Sequence, residues 1–252
     1  MNSGGFFSRS EALLGGAAMK RLAEAHVLIV GVGGVGSWCA EALVRTGVGH
    51  VTLMDDDVVA ESNINRQCPA TSKTLGQHKV VAMRNRLLAL NPDCDITALK
   101  ERYTSAVHLH LFSPPSLVID AIDSVDCKAE LILGATEAGV PLVSSMGAAL
   151  RLDPTNVKVT RFEKVVGDGL ARALRQRFKK LGRFPSAKFS CVWSGEQPTS
   201  NTETQRHREA EENSVPPCLC VKNRGSLMPV TATFGMCLAS EAIKLLTKGE
   251  TE

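Results

Sequence analysis

Nowhere in this chain of 252 residues does an apolar run approach the roughly 20 residues that a membrane-spanning helix needs. The first residues also lack the basic-then-apolar order of a secretion signal. A soluble protein with no membrane insertion is expected. The eight cysteines are irregularly spaced and include no Cys-x-x-Cys pair, and Cys218 and Cys220 are separated by one residue. That excludes a zinc clasp built from two such pairs, and it suits a reducing, cytoplasmic compartment better than a disulfide framework. The six histidines show no metal-ligand spacing, and His78 reads as a surface residue. No internal repeat is visible. Neither sign of charge dominates, since 29 Lys and Arg stand against 26 Asp and Glu, a net charge of +3.

What the chain does have is apolar material and a glycine loop. Hydrophobic residues make up 44% of it, ample for a core, and the length suits one large α/β domain. Val27-Leu28-Ile29-Val30 runs into Gly31-Val32-Gly33-Gly34-Val35-Gly36 and then into helix-forming residues. That order reads as a strand, a tight turn and a helix start. Glycines let the main chain approach a ligand closely, and the unpaired N–H groups and positive end of the helix attract phosphate. A second strand, Val51 to Met54, ends in Asp55, nineteen residues after Gly36, about where an acid meets a ribose hydroxyl. Dehydrogenases use nearly the same device, so an NAD-binding oxidoreductase stays open at this point.

The residues after Asp55 favour a triphosphate. Asp55, Asp56 and Asp57 are followed by Asn63, Asn65, Arg66 and Gln67, a density of charge and amide groups that a hydride-transfer cofactor does not need beside its adenosine. A reacting triphosphate needs cations on its phosphates and a carboxylate for its magnesium. Lys79 opens a helical segment after Gly76-Gln77, and Asp123 ends a strand that begins at Leu117, with Lys128 beyond. In an open parallel sheet the strand ends and following loops form the ligand crevice. Gly31, Asp55 and Asp123 all fall at such ends.

Taken together, Gly-Val-Gly-Gly-Val-Gly, Asp-Asp-Asp-Val with Ser-Asn-Ile-Asn-Arg-Gln, Gly-Gln-His-Lys, and Asp-Ala-Ile-Asp-Ser with Lys128 resemble the adenylating domain shared by ubiquitin-activating enzymes and by bacterial proteins that activate sulfur carriers. Within that superfamily the chain is most similar to the tRNA threonylcarbamoyladenosine dehydratase branch, over nearly its whole length. The resemblance implies that Gly31, Gly33, Gly34 and Gly36 line an ATP loop and that Asp55 holds the ribose. It implies that Asn65, Arg66 and Lys79 contact the phosphates, with Asp57 in the same site, and that Asp123 serves Mg2+ and the reacting phosphate. Arg9 matches an arginine that reaches across a homodimer interface into the partner's site. The family's Arg-Phe-x-Arg pattern has Phe6 here where its first Arg is expected. The implied activity is adenylation of the threonyl carboxylate in modified tRNA followed by cyclisation, with release of AMP and pyrophosphate. Activation of a ubiquitin-like or sulfur-carrier protein is the nearest alternative. It would call for a nucleophilic cysteine, with Cys191, Cys218 and Cys220 as candidates.

The pattern of elements predicts an α/β fold: a Rossmann-like, mostly parallel sheet with flanking helices and a C-terminal antiparallel extension. A single adenylating domain spans residues 1–252, with a helical arm at 1–26, a nucleotide-binding core at 27–147 and a substrate-side, dimer-forming extension at 148–252. Helices are expected over Glu11–Glu24, Ser37–Thr46, Lys79–Leu90, Lys128–Ala138, Gly169–Leu181 and Thr233–Leu246, and a polar loop over 195–217. Arg172, Arg175, Arg177, Lys179, Lys180 and Arg183, with Lys188 beyond, form a run that no acid interrupts, which predicts a patch for tRNA phosphates. Lys79 and Lys128 are read as helix N-terminal lysines, unfavourable there unless an anion is also present. Trp38 reads as packing.

Overall fold

The computed structural model describes residues 5–104, 115–198 and 225–248. Among these residues seven strands form one sheet: β1 (His26–Val30), β2 (His50–Met54), β3 (Asp95–Leu99), β4 (Leu117–Asp120), β5 (Leu142–Ser145), β6 (Val157–Arg161) and β7 (Ser190–Ser194). Their order is β3-β2-β1-β4-β5-β7-β6, and every neighbouring pair is parallel except β6 with β7. The helices are α1 (Ser8–Leu14), α2 (Gly16–Glu24), α3 (Gly36–Thr46), α4 (Lys79–Leu90), α5 (Val125–Glu137), α6 (Gly169–Leu181) and α7 (Met228–Thr247).

The central strands read as near-continuous apolar runs because both of their faces are covered. Alternate residues go opposite ways. Val27, Ile29, Val51, Leu53, Leu117 and Ile119 join a core with residues of α2, α3, α4 and α7. Leu28, Val30, Met54 and Val118 join a second core with α5 and α6. Successive crossovers from β1 build the sheet outward to β3, after which the chain returns to place β4 on the other side of β1. The ligand crevice of an open α/β sheet lies at such a reversal.

Four expected boundaries move by more than one residue, each for a local reason. The first helix is two, because Gly15 adopts φ +79 between α1 and α2. β4 stops at Asp120, whose side chain turns back onto the backbone at Ile122, so Asp123 lies in the loop and not on the strand. α5 opens at Val125, which places Lys128 inside the first turn and not at its start. α7 begins at Met228 because Pro229 fits a helix's first turn, where its missing N–H costs nothing. The polar loop expected over 195–217 falls largely outside the described residues.

Against the expectation that no apolar segment nears the length of a membrane span, α7, at 20 residues, is long and apolar enough to cross a bilayer by length and composition. Its Val230, Phe234, Leu238 and Ala242 are instead fully buried in the core shared with α3. Gly235 permits that approach, since a Cβ there would stand 2.6 Å from the Val35 carbonyl oxygen. It is a core helix.

Candidate nucleotide site

The loop between β1 and α3 is fitted to its own turns. Gly31 has φ +93, and a Cβ on it would meet the Ala121 carbonyl oxygen at 2.6 Å. At Gly36 the clash would be with the Gly31 carbonyl oxygen at 1.9 Å. Gly34 is pressed by the Arg66 and Thr231 side chains, whereas a Cβ on Gly33 would have 3.8 Å to the Gln67 amide. Gly31 and Gly36 are therefore demanded by the fold, and Gly33 is the glycine whose open space faces outward. Among the described residues no acceptor takes the N–H groups of Gly33 and Gly34. Free N–H groups beside the N-terminus of an 11-residue helix make an anion cradle, which is what a nucleotide phosphate needs.

The polar segment after β2 docks on this loop. The Ser37 hydroxyl donates to the Gly33 carbonyl at 2.6 Å and accepts the Cys68 N–H at 3.1 Å. The Trp38 indole donates to the Arg66 carbonyl at 2.9 Å, so Trp38 packs and clamps, as its sequence context suggested. Arg66 donates to the Ser62 carbonyl and to the Asn65 side-chain oxygen, and the Asn65 amide donates to the Ser226 carbonyl just before α7. Asn65 and Arg66 are thus brought beside the loop but already hold protein partners.

Asp55 accepts the Val32 N–H at 2.7 Å and the Asp57 N–H at 2.9 Å. Burial pushes its carboxyl above the usual range, while Lys79 and those N–H groups pull the other way. Lys79 is buried and its ammonium lies 2.6 Å from Asp57, whose side chain is largely exposed. That pair answers the electrostatic question posed by a lysine at a helix N-terminus: the anion beside it in the structure is Asp57. The Asp55, Asp56 and Asp57 carboxylates lie within 4.8 Å of one another, oxygen donors of the hard type that divalent cations prefer.

The loop after β4 supplies the other wall. Asp123 is exposed and has no intramolecular partner among the described residues, and Ser124, not Asp123, is the N-cap of α5. Behind it stands a group that sequence reasoning missed. Asp120 is fully buried at the last position of β4 and accepts from Lys128 at 2.8 Å, from the Ser144 hydroxyl at 2.6 Å and from the Ile122 N–H at 3.2 Å. Lys128 also donates to the Ile122 carbonyl at 3.0 Å. The anion that a lysine near this helix start calls for is therefore Asp120, and Lys128 is an internal brace. An acid within an otherwise apolar strand was the available signal. Gly31, Asp55 and Asp123 follow neighbouring strands at one rim, so a nucleotide on the loop would have Lys79 and the acids after β2 on one side and Asp123 on the other.

Arg9 sits on α1, exposed on a helix that buries none of its residues. The basic run on α6 divides. Arg175 donates to the Phe162 and Val165 carbonyls, Arg177 pairs with Asp126 at 2.9 Å, and Arg183 pairs with Glu137 at 2.9 Å. The acids come from neighbouring α5, so a run without acids in sequence is not one in space. Arg172, Lys179, Lys180 and Lys188 remain exposed. Cys191 is buried in β7, and burial pushes its thiol pKa up, which unfits it as a nucleophile. Cys218 and Cys220 lie outside the described residues.

Comparison with known proteins places these features in a family. The ThiF family matches residues 7–252. The chain is 38% identical over 247 residues to a tRNA threonylcarbamoyladenosine dehydratase of Escherichia coli (strain K12), covering 94% of this chain and 92% of that one. A protein of the same description from Bacillus subtilis (strain 168) is 40% identical over 177 residues, 70% of each chain. The crystal structure of the E. coli dehydratase in complex with ATP superposes with a TM-score of 0.82 at 36% identity, covering 96% of this chain and 93% of that one.

Proposed function

The chain belongs to the ThiF family, and we propose that it is an ATP-dependent dehydratase acting on threonylcarbamoyladenosine in tRNA. A carboxylate oxygen of the threonyl group attacks the α-phosphorus of ATP, and pyrophosphate leaves. A neighbouring atom of the same modified base then attacks the activated carbonyl carbon and expels AMP. One carboxylate oxygen departs with AMP, so the base loses the elements of water and closes into a ring. The nucleophile comes with the substrate, which agrees with the burial of Cys191.

The site residues divide this work. The Gly33 and Gly34 N–H groups and the start of α3 hold phosphate, and Asp55 meets the ribose while fixing the loop through Val32. Arg66, Asn65 and Lys79 turn toward the triphosphate, Lys79 sharing its charge with Asp57. Asp123, an exposed oxygen donor at the mouth, would hold Mg2+, which when bound supplies charge neutralisation at the phosphates. Arg9 acts across a homodimer into the partner's site. The observation that carries the reading is the convergence of Gly31, Asp55 and Asp123 on one sheet rim in a chain that aligns nearly end to end with dehydratases. Incubation with modified tRNA and ATP, followed by mass spectrometry of the nucleosides, tests it. A base lighter by one water is expected, and an unchanged mass would refute the assignment. If the chain instead activated a carrier protein, ATP–pyrophosphate exchange would depend on a partner ending in Gly-Gly.

A further inference from the structure

The chain carries only 8 Phe, 2 Trp and 1 Tyr, and four of the Phe line one cavity of about 500 Å³ between α6, the turn at Phe162 and Glu163, and the segment 184–189 that leads into β7. Phe162 stacks on Phe189 with ring centroids 5.1 Å apart, and Phe178 meets Phe162 edge-on at 6.2 Å. These three are buried. Phe184 is not: Gly182 ends α6 in a left-handed turn, and two residues later Phe184 stands 61% exposed at the cavity mouth. The Arg175 guanidinium lies 4.9 Å over the Phe162 ring, fixed by its bonds to two carbonyls. Lys179 and Lys188 flank the opening and have no acidic partner among the described residues, and Glu163 is the single acid on the lining.

An exposed aromatic ring beside free lysines matches one ligand chemistry, an unpaired base with its phosphate. Proteins read single-stranded RNA by stacking splayed bases on aromatic rings and arginine planes while cations take the backbone. Phe189 directly precedes β7, so the cavity opens at the end of the sheet opposite the glycine loop. We propose that this cavity anchors an unpaired base of the tRNA substrate, stacked on Phe184 with its phosphate on Lys179 and Lys188, remote from the reacting carboxylate. The proposal rests on the dehydratase reading and extends it to how the RNA is held.

Steady-state kinetics of the full chain on modified tRNA, repeated at several salt concentrations, test it. Replacing Phe184 by Ala should raise KM for tRNA about 5- to 150-fold, the loss of one stacked base. kcat, KM for ATP and the salt slope should stay as in the wild type. Phe184→Trp should keep the wild-type KM, and Phe184→Leu should not. Changing Lys179 and Lys188 together to Gln should flatten the plot of log KM against log salt by about 1.4, the value for two phosphates on a single strand. An unaltered tRNA KM in Phe184→Ala, or equal rescue by Leu and Trp, would overturn the anchor while the wild type's turnover upheld the functional reading. A wild type that leaves modified tRNA unchanged would remove both. Phe184 is exposed, so its substitution should leave the melting temperature within a degree or two of the wild type.

Discussion

Lys128 and Asp120 face each other across 2.8 Å with neither side chain touching solvent, and both also bind the backbone of Ile122. A buried ion pair gains little net stability over a hydrophobic pair, yet breaking one half of it is costly. Its use here is positional: the two side chains grip the turn that delivers Asp123. Changing Lys128 to Met should therefore destabilise the protein by about 3–5 kcal/mol, the cost of an unpaired buried charge. The double change of Asp120 to Asn with Lys128 to Met should recover much of that in urea unfolding. It should not recover kcat, because the Ile122 carbonyl has lost its lysine. A double variant with wild-type AMP release would show that the pair has no part in placing Asp123.

The glycines of the loop separate into structural and functional ones. Gly36→Ala drives a Cβ to 1.9 Å from the Gly31 carbonyl oxygen and should abolish folding or lower the melting temperature steeply. Gly33→Ala meets its nearest atom at 3.8 Å and should melt like the wild type. It should still lose ATP affinity about tenfold or more, equivalent to about 1.4 kcal/mol, since the methyl group enters the space a phosphate would fill. Calorimetric titration with ATP and magnesium reads the second effect, and unchanged affinity in Gly33→Ala would move the phosphate elsewhere.

Glu41 ties three elements together, and it makes the fold acid-sensitive. Burial alone would raise its pKa, but hydrogen bonds from Arg86, Cys68 and Arg45 outweigh that and hold it at about 2, below an ordinary value of 4.5. A depressed carboxylate stabilises the native state above its unfolded pKa and loses that contribution as pH falls through the folded one. The window here runs from 4.5 down to about 2, and the contribution at neutral pH is on the order of 3 kcal/mol. Glu41→Gln should cost about that much at pH 7 in urea unfolding and flatten the stability profile between those limits. The same slope in wild type and variant would assign the acid sensitivity to other groups.

The parallel sheet was legible in the sequence because strands buried on both faces read as unbroken apolar runs, and the loop because glycine has few substitutes at φ +93. α4 and α6 were readable to the residue, closed by Asn91-Pro92 and by Gly182. What local pattern could not carry was partnership between distant residues. Lys128 looks like any lysine near a helix start until Asp120, 8 residues away in sequence and itself held by Ser144, appears beside it. The basic run looks unopposed until α5 lays Asp126 and Glu137 against α6. Lys79 calls for an anion beside it, but proximity along the chain could not tell Asp57 from a phosphate.

Arg9 and Asp123 offer the sharpest test of how the site is completed. α1 is seven residues long and buries none of them, and a helix so short has little stability without packing. A partner subunit laid against α1 would supply that packing and carry Arg9 toward the other nucleotide. Arg9→Ala and Asp123→Ala should each reduce turnover by about a hundredfold or more, the scale of losing one charge-stabilising group. Both should keep the wild-type melting temperature because both side chains are exposed. Mixed after subunit exchange, the two variants should regain activity: a statistical mixture contains one half hybrid dimers, and each hybrid has one site with both native residues. About a quarter of the wild-type rate per total sites is therefore expected. Exchange shown by mass spectrometry without any recovery of AMP release would mean that Arg9 and Asp123 serve the same subunit.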